Sequence, residues 1–487
     1  MFFRWFQKRR GPVTSAAATE VSREVLLAEV RALVSEGLNA AAEARFEGLA
    51  ARFSDDASIR NELGAVRYAL GDFAGAEAVF REAVSLAPRD AAAHANLGQS
   101  LQARGLFDLA LPQFEAALRI DPGHEFARFN LALACCALGD RRRACAVYCD
   151  LIASSPDDVS VHTALADCLL AMEDFEAGWR EYEWRFKVAD FTPYFRAYSQ
   201  PLWDGSEQPG ACLLVWPEQG YGDTLQFMRL ARHTAEKMPS MQVIIEVPPA
   251  LLRLTRYSYA DCANLTVAES SASEPAFTCH VSVMSLAHLL RQRLTENPIA
   301  GPYLKADPTL VARWMEHLAH AAAGQVKIGL VWASSRRQQL GFAVEEIDRR
   351  RSIGAEPLAV LLDVPGCLFV NLQTGARSAE MAMLGRELVD FSGELADFAD
   401  TAALIVCLDL VVTVDTAVAH LAGALGKPVW MLSRYDACWR WGARRADIPW
   451  YPTLRPFYQP RPAAWEPVVE DVRRALQELV QQHAEHG

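Results

Sequence analysis

Three short stretches carry polar side chains where an apolar run ends. Asp415, Thr416 and His420 follow Leu410–Val414, a β-branched run that reads as a buried strand. Asp415 and Thr416 suit a helix start, and Thr416 and His420, four apart, share one helix face. First-turn amides there favour an anion, while a helix cap and a satisfied histidine are the plainer roles. Gln219 to Thr224 supplies Gly220 and Gly222, which let the backbone approach a ligand, and Asp223. Asp223 is either a helix cap or a general base drawing a proton from an attacking hydroxyl. Ser334 and Ser335, with Arg349, Arg350, Arg351 and Ser352, suit a diphosphate; a solvated charge run is the alternative.

These loops need a scaffold of parallel strands. Short apolar runs at 212–216, 242–247, 265–267 and 280–283 alternate with helical spacing, which indicates a first α/β lobe over 211–305. A second series occupies 306–487, with strands at 328–332, 367–372, 387–391, 410–414 and 429–432. Gly426 and Pro428 stop the helix after Ala417. A last helix from about Trp465 is expected to cross back over the first lobe. Two such lobes leave a cleft between them, with polar loops at the carboxyl ends of their strands.

The first half has a different period. Pro88, Pro122 and Pro156 stand at intervals of 34, and Leu63-Gly64, Leu97-Gly98 and Leu131-Ala132 keep step. So do Ala76, Ala110 and Ala144, and Phe80, Phe114 and Tyr148. A degenerate unit with Ala42 and Phe46 precedes them, and one with Leu165, Ala166 and Tyr182 follows. The pattern resembles the tetratricopeptide repeat, an α-helical solenoid over 22–190 whose inner surface would bind a partner or acceptor. A purely structural solenoid is the other reading. Residues 191–210 complete an aromatic, arginine-rich junction that begins near Gly178.

Composition is that of a globular chain, with 51% hydrophobic and 22% charged residues among 487. A net charge of −12 leaves no general basic excess, so no nucleic-acid partner is expected. The eleven cysteines have no zinc spacing and read as small thiols in a reducing compartment. Residues 1–21 are a flexible tail whose first ten, MFFRWFQKRR, could touch an anionic membrane surface weakly. No charge-free run is long enough to span a bilayer, so a cytoplasmic protein is expected, at most peripheral at the inner membrane surface.

The second half resembles the bacterial ADP-heptose:lipopolysaccharide heptosyltransferase family. The resemblance rests on GYGDTLQF at 220–227, GLVWASS at 329–335, RRRS at 349–352, DTAVAHLAGALGKPVW at 415–430 and DIPWYPTLRPFYQ at 447–459. It implies a GT-B fold of two Rossmann-like lobes: an acceptor-side lobe at 211–305 and a nucleotide-sugar lobe at 306–487. It implies inverting sugar transfer from a nucleotide-diphosphate donor without a metal and without a resident cofactor. Asp223 would be the base. Asp415, Thr416, His420, Ser334, Ser335, Arg350, Arg351 and Gln373 would hold the donor. The family's lysine after the hydroxyl pair is replaced here by Arg336 and Arg337. Repeats joined to such a module also resemble the protein O-GlcNAc transferases in architecture, which suggests a protein or glycan acceptor held by the solenoid. The alternative is a repeat scaffold with a degenerate transferase module.

Overall fold

In a computed structural model of the chain, residues 23–188, 195–270, 275–290, 301–319, 324–334, 347–375, 377, 378, 380, 388–442 and 444–486 are described. The basic tail and Ser335, Arg336 and Arg337 fall outside them. The chain forms two compact units, Met1–Ala127 and Arg128–Gly487, so compactness divides it inside the repeats.

The first unit is built of paired helices: α1 (Arg23–Ser35), α2 (Asn39–Arg52), α3 (Ala57–Ala69), α4 (Phe73–Leu86), α5 (Ala91–Ala103) and α6 (Phe107–Ile120). The 34-residue period has a steric cause. A Cβ at Gly64 would lie 2.6 Å from the Phe80 ring, and one at Gly98 would lie 2.6 Å from the Phe114 ring. Only a glycine lets each aromatic ring seat against the partner helix. Asp56 and Asp90 cap α3 and α5, each accepting from two first-turn N–H groups. The turns between helices use Gly37, Gly71 and Gly105 at φ of 77°, 81° and 78°.

α7 (Glu125–Ala137) crosses into the second unit, where α8 (Arg141–Ser154), α9 (Val159–Ala171) and α10 (Phe175–Tyr182) continue the repeats. Gly139 keeps the turn glycine at φ 90°, but 34 residues later the same left-handed place, φ 64°, is filled by Glu173. A non-glycine residue there is strained.

The α/β part has two all-parallel sheets. β1 (Cys212–Trp216), β2 (Gln242–Val247), β3 (Leu265–Glu269) and β4 (Cys279–Ser282) lie in the order β3-β2-β1-β4. β5 (Val326–Val331), β6 (Cys367–Asn371), β7 (Val389–Asp390), β8 (Leu410–Val414), β9 (Val429–Ser433) and β10 (Leu454–Tyr458) lie in the order β10-β9-β8-β5-β6-β7. The result is a helical repeat solenoid followed by a two-lobed, GT-B-like α/β region. The helices used below are α11 (Tyr221–Lys237), α12 (Pro249–Tyr259), α13 (Phe398–Val406), α14 (Ala417–Ala424) and α15 (Glu466–His486).

The terminal helix corrects one expectation. α15 does not cross to the first lobe: Val468, Val469, Val472 and Leu476 are buried in one cluster with Ile328, Leu330 and Val412 of the second sheet. Among the described residues, no helix is long and apolar enough to cross a membrane.

Candidate functional site

The order β9-β8-β5 sets three strand exits side by side: Arg434 after β9, Asp415 and Thr416 after β8, and Ser334 after β5. Open parallel sheets bind ligands at such carboxyl ends. Thr416 is the N-cap of α14 without a side-chain cap bond, so the capping expected there is absent. Its hydroxyl instead lies 3.0 Å from the Thr413 hydroxyl. Asp415 is half-buried, and among the described residues its carboxylate makes no hydrogen bond or ion pair.

Asp223 sits at the third position of α11, one turn after the N-cap Gly220, and its Oδ2 accepts the Gly220 N–H at 3.0 Å. Its Oδ1 accepts from Arg440 Nη2 at 2.7 Å. Arg440 also donates through Nε to Gln226 Oε1 at 2.9 Å, and its guanidinium lies 4.3 Å above the Trp439 ring. One arginine of the second lobe thus ties down the start of α11 in the first. Arg229 adds a parallel tie by donating to the Trp450 carbonyl at 3.0 Å.

His420 meets this helix start directly. A Cβ at Gly222 would come within 2.9 Å of His420 Cδ2, so Gly222 permits the close approach of α11 and α14. His420 Nδ1 lies 3.0 Å from the Tyr451 hydroxyl. Burial lowers the His420 pKa to about 3; Asp415 opposes this, and Arg440, Arg229 and Arg351 add to it. The folded chain therefore keeps this ring neutral, whereas an unfolded chain takes up the proton near pH 6.5. Stability should be fully present above that pH and fall as pH drops toward 3, by an amount on the order of a few kcal/mol. Thermal unfolding midpoints over this range should show the loss, and His420→Gln should flatten it.

The other expected donor residues are anchored within the second lobe. Gln373 accepts the Ala333 N–H at 2.9 Å and donates to the Thr374 carbonyl at 3.2 Å, so its amide shapes the β5 exit. The Ser334 and Ser352 hydroxyls are 3.3 Å apart, and Ser352 donates to the Asp348 carbonyl. Arg350 donates to Asp436 at 2.6 Å, and Arg351 pairs with Asp348 at 2.7 Å. Arg351 Nε and Arg434 Nε and Nη1 are buried with no hydrogen-bond acceptor among the described residues. Strand-exit reasoning does not pick out Arg434, although it stands just beyond the run at 429–432.

The last repeat is built into the same unit. Trp179 of α10 packs edge-on against Phe227 of the first lobe and Trp439 of the second, with ring centres 5.7 Å and 5.3 Å apart. Arg185, in the turn Glu183–Lys187, donates twice to Glu218 at 2.8 Å. Leu170, Ala171, Glu173, Trp439 and Arg440 line one hollow beside this contact, with Glu173 ion-paired to Arg445. Nearby, Cys168 Sγ lies 3.1 Å from Cys136 Sγ and 3.3 Å from Cys145 Sγ, a grouping the linear spacing did not reveal. All eleven cysteines are free thiols.

Comparison with known proteins adds identity. Residues 27–91, 66–125 and 95–140 match the tetratricopeptide repeat, and residues 374–446 match glycosyltransferase family 9 (heptosyltransferase). Protein FlbA of Caulobacter vibrioides is 28% identical over 446 residues, which cover 86% of this chain and 67% of that protein. Among solved structures, MamA of Desulfovibrio magneticus is 20% identical over 35% of this chain and 94% of its own, with a TM-score of 0.32. A thermophilic repeat protein of Thermus thermophilus is 21% identical over 35% of this chain and 94% of its own, with a TM-score of 0.31. The chain thus carries tetratricopeptide repeats together with a glycosyltransferase family 9 (heptosyltransferase) domain, which supports glycosyltransferase activity.

Proposed function

We propose that the second unit moves a sugar from a nucleoside-diphosphate donor to a hydroxyl of a protein or glycan acceptor, with inversion at the sugar carbon and without a metal. The observation that carries this is that, among the described residues, Arg351 Nε and Arg434 Nη1 are buried without a hydrogen-bond acceptor, while Arg434 Nε has only a long ion pair of 3.6 Å to Asp436. They lie by the strand exits that also present Asp415 and Ser334. Buried donors without acceptors are costly, and a diphosphate would satisfy them with charge-assisted bonds. Arg350 is a further donor contact in this scheme, and Asp415 accepts from sugar hydroxyls. Asp223 belongs to the catalytic centre, and a role for it as base requires Arg440 to release Oδ1. The repeats recruit the acceptor or a partner protein. Eleven free thiols suit a reducing, cytoplasmic setting.

Calorimetry of the full chain against a panel of nucleoside-diphosphate sugars and free nucleotides tests the donor site. One of them should bind, and Arg434→Ala should weaken it about tenfold to a hundredfold, as loss of hydrogen bonds to a charged group does. Absence of binding by every member would overturn the donor site. Binding without turnover would leave a repeat scaffold.

A further inference from the structure

The contacts around His420 decide which of its two ring nitrogens carries the proton. Tyr451, in the segment between β9 and β10, lies along α14. Its ring rests on Gly423, where a Cβ would come within 2.6 Å of it. His420 stands three residues earlier on the same helix face, and the Tyr451 hydroxyl reaches its Nδ1 at 3.0 Å. Both side chains are buried.

A second phenol sets the direction of that bond. The Tyr303 N–H donates to the Ala424 carbonyl at the end of α14, which places its ring beside Tyr451. The Tyr303 hydroxyl gives its proton to the Leu225 carbonyl at 2.6 Å and accepts from Arg229 Nη2 at 2.9 Å. The two phenol oxygens are 3.4 Å apart, longer than the roughly 2.5–3.0 Å of an O–H···O bond. Arg229 also hydrogen-bonds the Tyr451 side chain, and a guanidinium can only donate. Among the described residues, the Tyr451 proton therefore has His420 Nδ1 as its acceptor. Nδ1 accepts, and the neutral ring carries its own proton on Nε2. Burial keeps a second proton off the ring.

Nε2 faces the seam between the lobes. A Cβ at Gly222 would lie 3.3 Å from Nε2 and 3.8 Å from Ala417 Cα, at the first turn of α14. Asp223 is the next residue after Gly222, and Asp415 and Thr416 immediately precede Ala417. Among the described residues, Nδ1 is hydrogen-bonded and Nε2 is not.

Resting on the glycosyl-transfer reading above, we propose that Tyr451 is a positioning residue that holds His420 as the Nε2–H tautomer, and that this N–H donates to the diphosphate oxygen as it leaves the sugar. The acceptor hydroxyl gives its proton to Asp223, once Arg440 has freed Oδ1, and its oxygen forms the bond to the anomeric carbon. The bond from that carbon to the diphosphate oxygen breaks, and its electron pair stays on that oxygen. The Nε2 proton remains on the ring, and its hydrogen bond strengthens as negative charge gathers on the oxygen. Arg351 and Arg434 set the affinity for the donor, whereas His420 acts on the step itself.

The test uses the full chain and whichever nucleoside-diphosphate sugar of the panel it turns over. NMR of a chain with isotope-labelled histidine ring nitrogens reads the tautomer directly, with the His420 signals assigned by their loss in His420→Gln. The wild type should show a proton on Nε2 and none on Nδ1. Tyr451→Phe should mix the two tautomers and lower turnover at saturating donor about tenfold, with donor affinity by calorimetry held within about threefold. His420→Gln places an amide N–H near the position of Nε2–H, whereas the His420→Asn amide ends near Nδ1. The Gln variant should therefore keep about tenfold more turnover than the Asn variant. A proton on Nδ1 in the wild type, or unchanged tautomer and turnover in Tyr451→Phe, would overturn the assignment while leaving the donor site standing. Equal turnover in the two His420 variants would remove the N–H from the step. Failure of the wild type to bind or turn over any donor would overturn both readings.

Discussion

Arg185→Met should cost the second unit about 3–5 kcal/mol of unfolding free energy, the usual loss when one partner of a buried ion pair is removed. Arg185 and Glu218 have side-chain exposures of 2% and 0%. Two parallel N–H bonds of 2.8 Å join them, and Arg185 also donates to Ser285 at 2.7 Å. Burial works against the charge on Glu218, but Arg185 outweighs it and holds the carboxyl below its usual range. The methionine would leave that carboxylate with Ser282 and Gln219 as its remaining partners. Adding Glu218→Gln should therefore recover part of the loss, because a neutral amide is cheaper to bury than an unpaired charge. Denaturant unfolding followed by tryptophan fluorescence reads both effects. A loss below 1 kcal/mol in the single variant would show that the pair is not the anchor of the last repeat.

Arg440→Met should act on stability and turnover together. The side chain is 11% exposed and its partner Asp223 is 18% exposed, so the pair is largely withdrawn from water. Removing the guanidinium strands Asp223 and the Gln226 amide oxygen and deletes the stacking on Trp439. A loss of about 3 kcal/mol is expected, with turnover of a donor sugar falling at least a hundredfold as the start of α11 loosens. In a double-mutant cycle with Asp223→Asn, the two losses should be less than additive by more than 1 kcal/mol. Additive losses would mean that the two side chains do not act as a unit.

Much of the scaffold could be read from residue types because parallel strands are buried on both faces and so are continuous apolar runs. The runs at 212–216, 242–247 and 410–414 are strands with those same bounds. The misses have local causes. β10 carries Arg455 and Pro456 and lies at the sheet edge, where a missing N–H is tolerated and the apolar signal is broken. β7 is only Val389–Asp390, shorter than the run that suggested it. The helical period revealed the repeats, since identical steric locks such as Gly64 on Phe80 recur at fixed spacing. The site was legible only in part. Strand-exit logic picked out Asp415 and Ser334, but Arg440 is 217 residues from Asp223, and no local pattern announces such a pairing.

Glu173 has a practical meaning for anyone who would regularise these repeats. A consensus rebuilt from Gly37, Gly71, Gly105 and Gly139 would write glycine at position 173 as well. That change would relieve a left-handed backbone strain of order 1 kcal/mol and delete the carboxylate that pairs with Arg445. The repeat that departs from the consensus is the one lining the hollow with Trp439 and Arg440. Averaging across the array would therefore raise the apparent quality of the sequence while erasing the mark that tells the repeat packed on the two lobes from the rest.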